Sequence, residues 1–154
     1  MTAWVRFGSI VCAALAVGGM FVIWVGYDPA ALSPSAYVEQ QQNAIRGLNV
    51  LMPALGAAAI ALTLASAWLM RRNRSGCVLL IVAAAFLVIS GAITRLGNQP
   101  INEQVMAWNP ANPPATWTEL RDQWWGFHRL RAASGLIALG LIVWVNVNYK
   151  GDRK

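Results

Sequence analysis

Four stretches of this chain contain no Asp, Glu, Lys or Arg, and no other feature limits the fold as tightly. They run Phe7–Tyr27, Gly47–Met70, Ser75–Thr94 and Ala132–Tyr149. About 20 apolar residues cross the hydrocarbon core of a bilayer as one helix. In a chain of 154 residues, four such stretches leave room for one small membrane domain and little else. The expected fold is all-α: an integral membrane four-helix bundle, one domain over 1–154, with spans near residues 5–27, 47–70, 75–94 and 130–149. Only 12% of residues are charged, about half the share of a soluble domain.

The formal net charge of +6 invites a nucleic-acid reading, but its distribution opposes it. Arg6, Arg71, Arg72, Arg74, Lys150, Arg153 and Lys154 fall on one side of the alternating spans, with Asp152 as the single acid there. The other side holds five arginines (Arg46, Arg95, Arg121, Arg129, Arg131) against Asp28, Glu39, Glu103, Glu119 and Asp122. Basic residues collect on the cytoplasmic side of membrane proteins. The expected setting is thus a bacterial inner membrane with both termini cytoplasmic, the lipid bilayer as partner and no nucleic acid. Cys12 and Cys77 fall near the inner ends of their helices, where a reducing compartment makes them small buried apolar residues and not a disulfide. The first span is longer than the apolar core of a cleaved signal, so it is expected to be retained.

Asp28-Pro29 ends the first helix, and Pro34 keeps the connection irregular. The second helix is expected to start near Ser35, well before its uncharged part, so that it extends beyond the bilayer on the non-cytoplasmic side. Its entering turns carry Gln41, Gln42, Asn43, Arg46 and Asn49. They face either water or a polar cavity. Asn49 and Gln42 are candidates for the cavity, because Asn49 lies within the apolar run where an unsatisfied amide is costly. Pro53 is expected to kink the helix one turn deeper. Between Thr94 and Trp117, four asparagines and four prolines predict a loop or broken helix. The last helix should run from near Thr116 to near Asn148, too long for the bilayer core alone, with its first turns projecting on the same side as those of the second.

That projecting segment carries the most informative pattern. Trp117, Arg121, Trp124, His128 and Arg131 are spaced 4, 3, 4 and 3 apart, which on a helix makes one column on one face. The column holds two indoles, two guanidiniums and the only histidine of the chain. Aromatic and basic residues at a helix end are ordinarily interfacial anchors, and Arg129 and Trp125, off the column, fit that role. Two stacked arginines flanking a histidine repel one another unless water or an anion lies between them. The column therefore suits the wall of a pocket for an electron-rich, oxygen-bearing ligand, with Trp117 and Trp124 stacking on a planar one. With one histidine and both cysteines at the opposite side, no nitrogen–sulfur metal cluster is expected.

Two patterns carry a resemblance to a known family. Thr94, Pro100 and Asn102 form T-x5-P-x-N; Pro114, Trp117, Leu120, Arg121, Trp124, His128 and Arg131 form P-x2-W-x2-LR-x2-W-x3-H-x2-R. Together with YVEQQQNAIRGLNVLMPALG at the entry of the second helix, they resemble the anthrone oxygenase-like family of small four-helix membrane proteins. The resemblance implies oxidation of a polycyclic phenol, an anthrone becoming an anthraquinone, with O2 as co-substrate and no cofactor. On that reading His128 is the base, Arg121 and Arg131 stabilise the phenolate-like anion, Asn98, Asn102 and Asn49 hold substrate oxygens, and the partner is a hydrophobic aromatic small molecule. Two rivals share the fold: a non-catalytic protein binding a lipid, quinone or partner helix, and a haem or copper redox subunit relying on His128.

Overall fold

The computed structural model describes residues 2–148. Tyr149, where the fourth span was expected to end, and the tail charges Lys150, Asp152, Arg153 and Lys154 lie outside the described residues. Six α-helices follow in order: α1 (Thr2–Gly26), α2 (Pro34–Leu48), α3 (Leu51–Leu69), α4 (Arg74–Ile93), α5 (Gln99–Met106) and α6 (Trp117–Asn148). A 3-10 turn, Pro29–Ala31, joins α1 to α2, and one π-helical segment, Thr94–Asn98, joins α4 to α5. No strand occurs among the described residues.

Four segments are long and apolar enough to cross a membrane: Ala3–Gly26, Leu51–Leu69, Arg74–Met106 and Trp117–Asn148. They form a closed ring in which α1 packs on α3, α3 on α4, α4 on α6 and α6 back on α1. Small residues let the helices approach: Ala13, Ala59, Ala83 and Ala138 meet at the core with Leu80 and Ile142, all sealed from solvent. Large apolar side chains instead point outward, among them Leu15, Phe21, Val25, Trp68, Val88 and Trp144. Such a belt would be a liability in water and suits lipid. Cys12 and Cys77 are free thiols packed against the core. The Arg6 guanidinium donates to the Asn146 side chain at 2.6 Å and to its carbonyl at 2.9 Å, so the start of α1 and the end of α6 sit at the same end of the bundle.

The distal end, away from the termini, departs from the simplest reading of the sequence in two places. One helix was expected to run from Ser35 to Met70; the structure has two, separated at Asn49–Val50. Pro53 does not kink an established helix. It sits in the first turn of α3, where its missing N–H leaves no gap in the ladder. The start of α2 follows local chemistry: Ser33 Oγ accepts the Ala36 N–H at 3.3 Å and Pro34 occupies the first helical position. The second is at α4: of the loop or broken helix expected after Thr94, the structure has the broken helix. α4 continues through the π segment into α5, so the third rod reaches Met106. Gly97 allows this, because a Cβ there would lie 2.7 Å from Cγ of Phe127 on α6.

At 32 residues, α6 is about 48 Å long at 1.5 Å per residue. Its first turns rise beside α5 and α2, which form a cap. Gln42 clamps that cap, donating to the carbonyls of Val105 (2.9 Å) and Trp108 (3.0 Å) at the end of α5.

Candidate functional site

Beneath the cap, between α1, α2, the start of α3 and α6, lies a cavity of about 310 Å3, within the range of small-molecule sites. Its walls are mostly apolar, with Met20, Ile23, Ile45 and Met52 among them. Its polar wall comes from Arg131, Thr94, Asn49, Gln99, Asn102 and Gln41.

Arg131 enters from α6 and is fixed on both sides. Its Nη1 donates to Thr94 Oγ1 at 3.2 Å, and its Nη2 and Nε lie 2.9 and 3.3 Å from His128 Nδ1. Thr94 donates in turn to the Ser90 carbonyl, and Ser90 Oγ donates to the Arg131 carbonyl at 3.0 Å, locking α4 to α6 at this level. No carboxylate lies within ion-pair distance of Arg131 among the described residues, where the ion pairs are Arg95–Glu103 and Arg121–Asp122.

His128 is fully buried and stands behind Arg131, off the cavity wall. Its Nε2 is 3.0 Å from the carbonyl oxygen of Met20 on α1. A carbonyl only accepts, so Nε2 carries the hydrogen, and Nδ1 offers its lone pair to Arg131. The ring lies nearly parallel to Trp124 (5.0 Å, 11°) and Trp125 (5.5 Å, 4°). Trp125, read from its position off the column as an interfacial anchor, is half-buried and also packs on the histidine. No group of three His, Cys, Asp or Glu side chains gathers as a metal site among the described residues. Haem or copper would have to take a histidine nitrogen that already has a partner.

The other column residues divide by depth. Trp124 lines the cavity, and its Nε1 donates to Asn102 Oδ1 at 2.8 Å, which places both candidates on one wall. Asn49 also lines it and accepts from Gln99 at 2.7 Å across the gap between the α2–α3 break and α5. Trp117 and Arg121 do not line the cavity. Trp117 packs on Tyr37 of α2 at 5.6 Å, and the Arg121 guanidinium covers the Trp117 ring at 4.9 Å while pairing with Asp122 at 2.8 Å. They close the cap. Burial above all, then the neighbouring Tyr27, pushes the Tyr37 phenol up, so it stays a neutral donor. Asn98 is fully buried off the cavity, donating to the Trp124 carbonyl at 3.0 Å, and Gln42 is spent on the α5 carbonyls.

Thr94, Gln99, Gln41, Met20 of α1 and Tyr27 just beyond the end of α1 reach the cavity without having been candidates. For Thr94 a signal existed, since it opens the T-x5-P-x-N pattern. For α1, apolar on every side, none did.

The comparisons with known proteins fit this arrangement. No curated protein and no solved structure matches the chain. The family model described as Anthrone oxygenase matches residues 42–141, which hold Arg131, His128, Trp124, Asn102, Asn49 and Thr94. On that match the chain belongs to the anthrone oxygenase family.

Proposed function

We propose that this protein is a membrane oxidoreductase that oxidises a polycyclic phenol of the anthrone type with O2 and without a resident cofactor. The observation that carries the reading is Arg131, a guanidinium on the wall of a largely apolar cavity with no carboxylate partner among the described residues. A cation so placed favours an anion beside it more strongly than the same cation in water would.

An anthrone supplies that anion. Loss of one methylene proton gives an enolate whose charge rests on the ring-ketone oxygen, where the Arg131 guanidinium, steadied by Thr94, stabilises it. The electron-rich anion passes one electron to O2; the resulting radical and superoxide combine at the former methylene carbon. The peroxide takes up a proton and loses water, leaving the second ketone. One O2 is consumed and one water released per anthrone. His128 is the base of this reading. Its Nδ1 becomes free to take the proton when the Arg131 guanidinium turns from the imidazole to the substrate oxygen. Trp124, held by Asn102, gives the rings a flat surface. Arg121, spent on Trp117 and Asp122, acts on the cap and not on the anion. The same reading has both termini in the cytoplasm of a bacterial cell, supported by the basic clusters at the end where Arg6 meets Asn146.

A second reading, ligand binding without turnover, is favoured by one observation: Nδ1 of His128 already has a partner. O2 uptake by purified protein given anthrones separates the two. Under the oxygenase reading, uptake exceeds spontaneous oxidation with one O2 per anthrone, and Arg131→Leu lowers the rate about 100-fold or more. Uptake at the spontaneous rate, or an unchanged rate in Arg131→Leu, rejects it.

A further inference from the structure

The cavity has a second polar end that the oxygenase reading does not use. Gln41 is only 3% exposed, yet its side chain lines the cavity. Among the described residues its amide has no hydrogen-bond partner, although its neighbour Gln42 on α2 is fully engaged. Unlike the sealed hydroxyls of Tyr27 and Tyr37, its amide opens onto the cavity, and a polar group so placed takes its partner from whatever fills the cavity.

Its position matters as much as its state. The Arg131 end of the cavity lies at the level of Met20 on α1, through the His128 contact, and of Met52 on α3, whose Cε lies 3.4 Å from the position a Cβ on Gly19 would take. Gln41 is eight residues before Asn49, which puts it about 12 Å away along the axis of α2. The distal ring of the cavity is completed by Tyr27, whose hydroxyl, like that of Tyr37 one turn before Gln41, is buried without a partner.

We propose that Gln41 is a specificity-determining ligand contact: its amide binds an oxygen substituent on the ring of a planar polycyclic molecule farthest from Arg131. The ligand class follows from the two ends. The Arg131 end takes an oxygen that bears or develops negative charge. The Gln41 end takes a neutral hydroxyl or carbonyl, since an amide offers one acceptor and two donors but no charge. A polycycle oxygenated at one end only leaves Gln41 unsatisfied and is selected against, as sites built for a hydroxyl reject analogues lacking it. The proposal rests on the oxygenase reading only for the chemistry at the Arg131 end.

Binding tests it without turnover. The probes are anthraquinone and its derivative with one hydroxyl on a terminal ring, titrated into detergent-solubilised protein and followed by tryptophan fluorescence quenching. Wild-type protein is expected to bind the hydroxylated probe about tenfold more tightly, the worth of one well-made hydrogen bond. Gln41→Met is expected to remove that preference while binding anthraquinone with unchanged or higher affinity. Gln41→Ala gives the same loss of preference without an added side chain to fill the space. Equal wild-type affinity for the two probes overturns the proposal whatever the variants do, and so does a preference that survives in both variants. Discrimination lost in Gln41→Met by a protein that consumes no O2 with anthrones upholds Gln41 while rejecting the oxygenase reading.

Discussion

The Arg131 guanidinium meets Nδ1 of His128 at 2.9 Å, and this contact couples the only cavity-lining cation among the described residues to the only histidine of the chain. The pair is one turn of α6, but its orientation depends on α1, whose Met20 carbonyl fixes which imidazole nitrogen is free to accept. A helix with no polar side chain at the site thus decides how the site's polar residues face.

Two substitutions of His128 separate its roles. His128→Ala removes a fully buried ring packed beside two indoles and leaves the Met20 carbonyl without its imidazole donor. It should cost about 2–4 kcal/mol of stability, read as a lower Tm in detergent. His128→Gln still offers hydrogen-bonding groups to Arg131 and Met20 but cannot take a proton. As the base, His128 is expected to be irreplaceable by Gln: O2 uptake falls at least 100-fold, while binding of the anthraquinone product persists. Substantial turnover in His128→Gln would show that the imidazole only positions Arg131.

Trp124 and Asn102 form the second testable pair. Asn102 Oδ1 is the acceptor for the indole Nε1, and the ring it holds is both cavity wall and neighbour of His128. Asn102→Leu leaves a half-buried N–H unpaired, at a cost of about 1–3 kcal/mol. Affinity for planar aromatics should fall and the indole emission shift, because the ring loses its fixed orientation. Binding and emission both unchanged would mean that packing on Trp125 and His128 holds Trp124 without the amide.

The sequence announced the four apolar helices because hydrocarbon-spanning length is a one-dimensional property. It announced the deep half of the column for a similar reason: Trp124, His128 and Arg131 recur at helical spacing on one unbroken helix. It could not divide the column. Trp117 and Arg121 share the face of Arg131, and only the packing of Tyr37 against Trp117 takes them off the cavity. Gln41 and Gln42 are adjacent amides with opposite fates, since a step of one residue turns a helical side chain by about 100°. The break at Asn49–Val50 was hidden because no glycine or proline stands there; Pro53, the visible signal, lies inside the first turn that follows. The π segment was equally silent, because Asn98 and the prolines and asparagines that follow it read only as a loop or broken helix.

That π segment supports the last prediction. Gly97 lies against the face of Phe127, and a Cβ at residue 97 would fall 2.7–2.9 Å from three ring carbons. The ring is on α6, one residue before His128, so neither helix can yield without disturbing the site. Thr94, the partner of Arg131, and Asn98, which holds the Trp124 carbonyl, belong to the same five-residue segment. Gly97→Ala is therefore expected to destabilise by about 1–3 kcal/mol through overpacking and to weaken O2 uptake by moving Thr94 from Arg131. Phe127 is itself partly exposed, so Phe127→Ala opens space at modest cost. In that background Gly97→Ala should lose most of its effect on Tm, a non-additive pair in a double-mutant cycle. Additive losses would place the cost of Gly97→Ala in the π backbone itself and not in the contact with α6.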